Sequence, residues 1–153
     1  MKTLKTTVLV LGLASTLTLG QATHARPGGL PAKAQDIECL AKNIYHEARG
    51  EGLAGKVAVA QVTVNRVKSG LFQPTVCGVV YAPHQFSWTL DKRKRVRDQR
   101  AWQASVSIAR AVLTQATRLP HFPALYFHTP QVNPRWNRDK QVVARIGNHI
   151  FYS

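Results

Sequence analysis

Apolar side chains recur with a helical period ahead of one short polar stretch. Between residues 36 and 50 the apolar side chains that share one helical face are Ile37, Leu40, Ala41, Ile44 and Ala48. This spacing predicts an amphipathic helix that is capped by Asp36 and stopped by Gly50. Glu47 follows Ile44 by three residues, so its carboxylate is expected near the buried edge of the helix. Glu51 lies beyond the glycine and is expected to face solvent.

The next apolar run, residues 53–67, is compatible with two patterns. Alternate positions such as Val57 and Val59 suit a strand, whereas Val57, Ala60 and Val64 have helical spacing. The length of the run and the stop at Ser69-Gly70 favour a helix. A shorter apolar segment follows at residues 76–81.

A third helix is predicted from Asp98, which is placed to act as its N-cap, to about Thr117. The apolar stripe of this helix, which is expected to face the core, consists of Trp102, Val106, Ala109, Leu113 and Ala116.

The last part of the chain has the pattern of strands. Residues 124–128 predict one strand, and residues 141–146 and 149–152 predict a hairpin that turns at Gly147-Asn148. The sequence therefore predicts an α+β fold, with helices first and a small antiparallel sheet at the C-terminal end.

The first 25 residues resemble a secretory signal peptide. Lys2 and Lys5 precede a mostly apolar segment at residues 8–19, and Thr23-His24-Ala25 provides a small-residue cleavage site. We expect residues 1–25 to be removed on export to the periplasm or cell envelope. Residues 26–35 would then form a flexible leader, and residues 36–153 a single domain. The alternative is an uncleaved anchor, although the segment is short and rich in Thr and Ser for a membrane span.

The chain is strongly basic, with 21 Lys and Arg against 7 Asp and Glu and a formal charge of +14. Removal of Lys2 and Lys5 with the signal peptide would lower this charge to +12. Such a surface favours a polyanionic partner, which includes nucleic acid, anionic lipid and cell wall. Export argues against nucleic acid, and peptidoglycan with its stem-peptide carboxylates is the simplest polyanion in that compartment.

Two cysteines in an exported domain predict one disulfide, between Cys39 and Cys77. The alternative is that both remain reduced and buried. A metal site is not expected from their spacing, and His46-Glu47 lacks the second histidine of a zinc-protease motif because position 50 is Gly.

Glu47 is the main candidate for catalysis. A partly desolvated carboxyl that is rigidly held on a helix has a raised pKa and can act as a general acid. The simpler interpretation is a solvated surface glutamate, but acidic residues are scarce in this chain. Glu51 is a secondary candidate.

The segment after residue 82 contains aromatic and hydrogen-bonding side chains that suit sugar binding: Gln85, Phe86, Ser87 and Trp88. The alternative is an aromatic plug in the core. Residues 92–100 carry six basic side chains in nine, which would either be solvated or hold an anionic glycan.

Five separated stretches together resemble the SleB-type cell-wall hydrolases. They are the segments Tyr45 to Glu51, Gly55 to Val67, Gln85 to Trp88, Tyr126 to Trp136 and Ile146 to Tyr152. The resemblance covers about residues 39–152. It implies a lysozyme-like fold whose helical lobe carries the catalytic Glu47, and a cleft lined by Gln85, Phe86, Ser87, Trp88, Tyr126, His128 and Trp136. The segment 92–97 departs from the family, which has a glycine-containing loop there.

We therefore predict a monomeric, exported enzyme that binds peptidoglycan glycan strands and cleaves the bond between N-acetylmuramic acid and N-acetylglucosamine. Neither metal nor cofactor is expected. Because few carboxyls could partner Glu47, a lytic transglycosylase with one catalytic Glu is favoured over a two-carboxyl glycosidase. The alternatives are a muramidase or glucosaminidase of the same fold, and a non-catalytic basic module that binds the wall.

Overall fold

The computed structural model describes residues 32–153, so the predicted signal peptide and most of the predicted leader lie outside it. The helices of this part are α1 (Ala34–Ala48), α2 (Leu53–Ser69), α3 (Val76–Tyr81) and α4 (Gln99–Leu113), with short 3-10 helices at Ser87–Leu90 and Arg135–Asp139. The strands are β1 (Tyr126–His128), β2 (Val142–Ile146) and β3 (His149–Tyr152). In this part of the chain none of the helices has the length and hydrophobicity of a membrane span.

Helix α1 lies at the centre of the helical lobe and packs against α2, α3 and α4. Leu40, Ala41 and Ile44 of its apolar face are fully buried, as the helical spacing predicts. They meet Val64 of α2 and Leu113 of α4 in one continuous core. Burying a Val, Leu or Ile side chain contributes about 1.5–3 kcal/mol, so this interface fixes the direction of α1.

Two predicted helix boundaries are wrong. Asp36 is not the N-cap of α1, because the helix already begins at Ala34 and the Ile37 amide donates to the Lys33 carbonyl oxygen. Helix α4 ends at Leu113, well before Thr117, and Gln115 follows with a positive φ of 55°. The Asp98 cap is confirmed, since its carboxylate accepts a hydrogen bond from the Ala101 amide at 3.0 Å.

Polar side chains of α2 hold the segment that leads from α4 to the sheet. The Gln61 side chain exchanges two hydrogen bonds with the backbone of Leu119, and the Asn65 amide donates to the carbonyl oxygens of Phe122 and Ala124. These bonds replace the secondary structure that this irregular segment lacks, so it is fixed to the helical lobe.

The sheet is antiparallel with the strand order β1-β3-β2, and the predicted hairpin of β2 and β3 is confirmed. Its turn contains Gly147 with a φ of 56°, a conformation that glycine adopts without strain. All four residues of β3 are buried. Phe151 packs with Val59 and Val62 of α2 and Phe122 of the connecting segment, which joins the sheet to the helices.

The predicted disulfide is present between Cys39 of α1 and Cys77 of α3. The short apolar segment at residues 76–81 forms helix α3, and the disulfide links this helix covalently to α1. The result is the predicted α+β architecture, a helical lobe with a small antiparallel sheet.

Candidate active site

Glu47 lies in the last turn of α1, where two surface cavities meet. Burial raises the pKa of this carboxyl, whereas the positive charge of Arg66 opposes the rise. The C-terminal end of a helix also carries partial negative charge, which further disfavours a carboxylate there. Glu47 therefore has the raised pKa that a general acid needs.

The first cavity, here called the basic cavity, has a volume of about 610 Å³. Its lining combines Glu47, Ser87 and Trp88 with a group of charged side chains, namely Arg49, Asp91, Arg93, Lys94, Arg95 and Arg97. Much of the basic segment after residue 92 therefore faces the same opening as Glu47.

On the other side of Glu47 lie two further cavities that share several wall residues. The central cavity, of about 330 Å³, is lined by Glu47, Arg66, Gln85, His128 and His149 among others. The aromatic cavity, of about 620 Å³, shares Arg66, Gln85 and His128 with it and adds the rings of Phe72, Tyr126 and Trp136. The three cavities form a chain of openings with Glu47 at one junction, an arrangement that suits an extended substrate.

The segment 85–88 contributes to the cavities in different ways. Gln85 and Ser87 are exposed, and Ser87 lines both the basic and the central cavity. Phe86 is 4% exposed, lies beside Phe127 and forms part of the wall of the central cavity. Trp88 is half-buried, packs against the helical core and stacks on His46 with ring centroids 4.5 Å apart. Both predicted alternatives thus apply, a polar wall from Gln85 and Ser87 and an aromatic plug from Phe86.

The predicted residues of the C-terminal half meet in the aromatic cavity. Tyr126 and Trp136 are half-buried with ring centroids 5.4 Å apart, and the Lys140 ammonium lies 4.0 Å from the Tyr126 ring. His128 Nδ1 lies 2.8 Å from the Thr129 carbonyl oxygen and Nε2 lies 2.8 Å from the Tyr152 hydroxyl. Since a carbonyl can only accept, His128 carries its proton on Nδ1 and accepts from Tyr152. Both ring nitrogens of His128 are thus engaged in hydrogen bonds within the wall of the cavity.

Arg66 is a site residue that the sequence reasoning missed. It is 6% exposed, donates from Nε to the Leu125 carbonyl oxygen at 2.7 Å and from Nη1 to Gln85 Oε1 at 3.2 Å. Its guanidinium lies 5.1–5.8 Å from the ring centroids of Phe72, Phe86 and Tyr126. Burial lowers the pKa of Arg66 to about 10, so it keeps its charge at neutral pH. A charged residue on the apolar run of α2 is the signal that could have indicated it.

The expectation that Glu51 faces solvent is wrong. Its side chain is 7% exposed and accepts hydrogen bonds from the backbone and side-chain amides of Asn148. His149 Nδ1 lies 3.6 Å from Glu51 Oε1, and burial lowers the pKa of His149. The chain turns back after Gly50, which places Glu51 under the hairpin turn and not in the cavities beside Glu47.

Tyr45 was not predicted as a site residue but positions the basic segment. Its fully buried hydroxyl accepts hydrogen bonds from the backbone amides of Arg97 and Asp98 at 3.1 and 3.0 Å and from Arg49 Nη1 at 3.3 Å. These donors lower the pKa of the Tyr45 phenol. The residue before His46-Glu47 therefore anchors one wall of the basic cavity to α1.

Within residues 32–153, no three side chains of the types His, Cys, Asp and Glu are grouped closely enough to hold a metal ion.

Residues 50–152 match the cell wall hydrolase family. The chain belongs to this family. The match begins three residues after Glu47 and includes the rest of the cavity-lining helices and strands. One similar protein is the spore cortex-lytic enzyme of Oceanobacillus iheyensis, which is 36% identical over 119 residues. That alignment covers 76% of this chain and 41% of the relative, so the chain spans about two fifths of the relative's length.

Two solved structures of the family have the same fold. The catalytic domain of the Bacillus cereus SleB protein is 31% identical with a TM-score of 0.66, covering 88% of this chain and 100% of that domain. The catalytic domain of the germination-specific lytic transglycosylase SleB from Bacillus anthracis is also 31% identical, with a TM-score of 0.65. It covers 81% of this chain and 100% of that domain. The predicted resemblance and fold are thereby confirmed.

Proposed function

We propose that this domain is an exported enzyme that cleaves the bond between N-acetylmuramic acid and N-acetylglucosamine in peptidoglycan as a lytic transglycosylase. The observation that carries the proposal is the position of Glu47, a carboxyl of raised pKa where the basic and central cavities meet. The name of the Bacillus anthracis relative, a lytic transglycosylase, supports the same reaction.

In this mechanism Glu47 acts twice. Its carboxyl first donates a proton to the glycosidic oxygen, and the bond from that oxygen to the anomeric carbon of the muramic acid breaks. The 6-hydroxyl of the same sugar then attacks the anomeric carbon and gives its proton to the Glu47 carboxylate. The acid is regenerated, no water is consumed, and the product has a 1,6-anhydro end.

The remaining residues position the strand. Arg66 holds Gln85 at the central cavity, and the rings of Tyr126 and Trp136 offer faces on which sugar rings can stack. Holding the muramic acid so that its 6-hydroxyl is near the anomeric carbon replaces a bimolecular step with an intramolecular one.

Hydrolysis is the second candidate because Asp91 lines the basic cavity together with Glu47. Hydrogen bonds from the backbone and side chain of Arg93 lower the pKa of Asp91, so it is ionised at neutral pH and could accept a proton from water. An inverting glycosidase uses such a carboxylate opposite its acid.

Mass analysis of digested peptidoglycan separates these functions. We expect anhydro ends from the wild-type protein, a loss of about 100- to 10,000-fold with Glu47→Gln, and little change with Asp91→Asn. If the wild-type protein instead produces reducing ends, and Asp91→Asn abolishes them, the reaction is hydrolysis and not transglycosylation. If the wild-type protein binds peptidoglycan without cleaving it, the domain is a non-catalytic wall-binding module.

A further inference from the structure

The basic cavity contains more positive charge than its own carboxylates can balance. Five Lys and Arg side chains line it, against Glu47 and Asp91. Asp91 is already paired with Arg93, whose Nε lies 3.1 Å from Oδ1. Within residues 32–153, Lys94, Arg95 and Arg97 form no salt bridge. Their exposed charges are therefore available to a ligand.

These charges are held on a defined backbone. The Lys94 amide donates to the Asp91 carbonyl oxygen at 2.9 Å, and the Arg97 amide donates to the buried Tyr45 hydroxyl. The first bond forms a turn at the start of the basic segment, and the second ties its end to α1, the helix that carries Glu47. A segment that is fixed before binding loses less conformational entropy on binding, which favours a specific site over diffuse attraction.

We propose that the basic cavity is a subsite for the carboxylates of the peptide stems that the glycan strand carries next to the cleaved bond. The inference rests on the proposed function and names the form of substrate that the domain prefers. Stems are attached to the muramic acid, one of the two sugars joined by that bond, so a strand at Glu47 places a stem near this cavity. Guanidinium groups bind carboxylates through paired hydrogen bonds. The volume of about 610 Å³ lies within the range of cavities that hold drug-sized molecules, so a short peptide can enter.

The test compares three substrates with the same glycan. One retains its stems, one has its stems removed by an amidase and keeps only the lactyl carboxylate, and one has its stem carboxylates converted to amides. The variant is Lys94→Glu/Arg95→Glu. The matched control is Arg110→Glu/Arg145→Glu, which makes the same charge change at exposed positions that do not line the three cavities.

We expect the wild-type protein to cleave the stem-bearing strands with a kcat/KM about tenfold above that for the amidated strands. The cavity variant should lose about tenfold on the stem-bearing strands, mainly through KM, and less than about twofold on the amidated ones. The control variant should retain the preference. Added salt should reduce the preference, since exposed ion pairs are screened.

Other results overturn the inference. Equal losses on all three substrates would show that the effect of the variant does not depend on the stem carboxylates, because the amidated strands lack them. Equal losses on the stem-bearing and the stripped strands, with little loss on the amidated ones, would indicate general attraction to anionic strands, and a preference for stripped strands would assign the cavity to the lactyl carboxylate. Inhibition by polyphosphate but not by free stem peptide would indicate a phosphate polymer. If the wild-type protein cleaves no strand, the proposed function fails. The subsite is then tested by equilibrium binding, in which equal affinity for stem-bearing and amidated strands would refute it.

Discussion

Glu51 and Asn148 are 97 positions apart in the sequence, yet the Glu51 carboxylate accepts hydrogen bonds from the backbone and side-chain amides of Asn148 at 3.2 and 3.1 Å. The first residue lies just after the helix that carries Glu47, and the second lies in the turn of the hairpin. A Cβ atom on Gly147 would lie 1.7 Å from Glu51 Oε2, so the turn can approach this closely only with glycine there. The contact is a polar link between the helical lobe and the sheet, in addition to the apolar packing of Phe151.

Replacing Glu51 should therefore destabilise the fold. Glu51→Ala leaves the amides of Asn148 without their acceptor, and we expect a loss of about 1–3 kcal/mol in the free energy of unfolding. Urea denaturation measures this loss. Glu38→Ala is the control, because Glu38 forms an exposed ion pair with Lys42 and should cost less than about 1 kcal/mol. Equal stability of the two variants would show that the Glu51 contact contributes nothing.

The part played by Glu51 could not be predicted from sequence, because its partner lies in a distant turn and Gly50-Glu51-Gly52 has the local pattern of an exposed loop. The predictions that succeeded rest on local patterns: the apolar face of α1, the Asp98 cap and the Gly147-Asn148 turn. The Asp36 cap failed because good helix formers precede it and extend the helix. Arg66 was missed because its function depends on Leu125 and Gln85, which only the tertiary fold brings to it.

Arg66 should affect both stability and the pH dependence of cleavage. Arg66→Lys keeps the charge but cannot reproduce both hydrogen bonds of the guanidinium, so we expect a loss of about 1–3 kcal/mol in stability. Arg66→Gln also removes the charge that opposes the raised pKa of Glu47. Its activity should therefore persist to higher pH than that of the wild type, as a pH–rate profile would show. The exposed Arg110→Gln should leave the pH–rate profile unchanged. An unshifted profile in Arg66→Gln would show that the charge of Arg66 does not influence the pKa of Glu47.

The Cys39–Cys77 bond should contribute substantially to stability. It closes a loop with a sequence separation of 38, for which the chain-entropy relation gives about 3–4 kcal/mol. Reduction of the wild-type protein should lower the free energy of unfolding by this amount. Cys39→Ala/Cys77→Ala should have similarly low stability and should not respond to the reductant. An unfolding curve of the wild-type protein that does not change when the reductant is added would contradict this prediction.

Trp136 should contribute mainly to substrate binding, whereas Trp88 should also contribute to the stability of the fold. Trp136 lines the aromatic cavity, so Trp136→Ala should raise KM for glycan strands by about 2- to 10-fold while kcat changes less. Trp88 packs on the helical core and on His46, so Trp88→Ala should lower the melting temperature as well as activity. Trp102, which packs against the core and does not line the three cavities, provides a control whose loss lowers stability but not KM. An unchanged KM in Trp136→Ala would remove this ring from the substrate site.

The raised pKa of Glu47 should be measurable in the folding equilibrium without any substrate. Burial favours the protonated carboxyl in the folded protein, so the stabilisation it provides is complete below the ordinary pKa of 4.5 and is lost as the pH rises through the raised value. Above the raised pKa the ionised carboxylate makes the fold less stable than it would be with a neutral side chain at this position. Glu47→Gln, which is neutral at every pH, should therefore be more stable than the wild type at about pH 7 and equally stable at about pH 4.

Urea denaturation at both pH values tests this prediction, with the exposed Glu38→Gln as the control that should show no such gain. In the proposed mechanism the same proton is needed for catalysis, so wild-type cleavage should decline as the pH rises through the raised pKa of Glu47, where the stability gap levels off. A stability gap without a matching decline in cleavage would mean that Glu47 is buried but is not the acid. If Glu47→Gln is instead less stable than the wild type at about pH 7, the fold stabilises the ionised carboxylate. Glu47 would then not have the raised pKa on which the proposed mechanism depends.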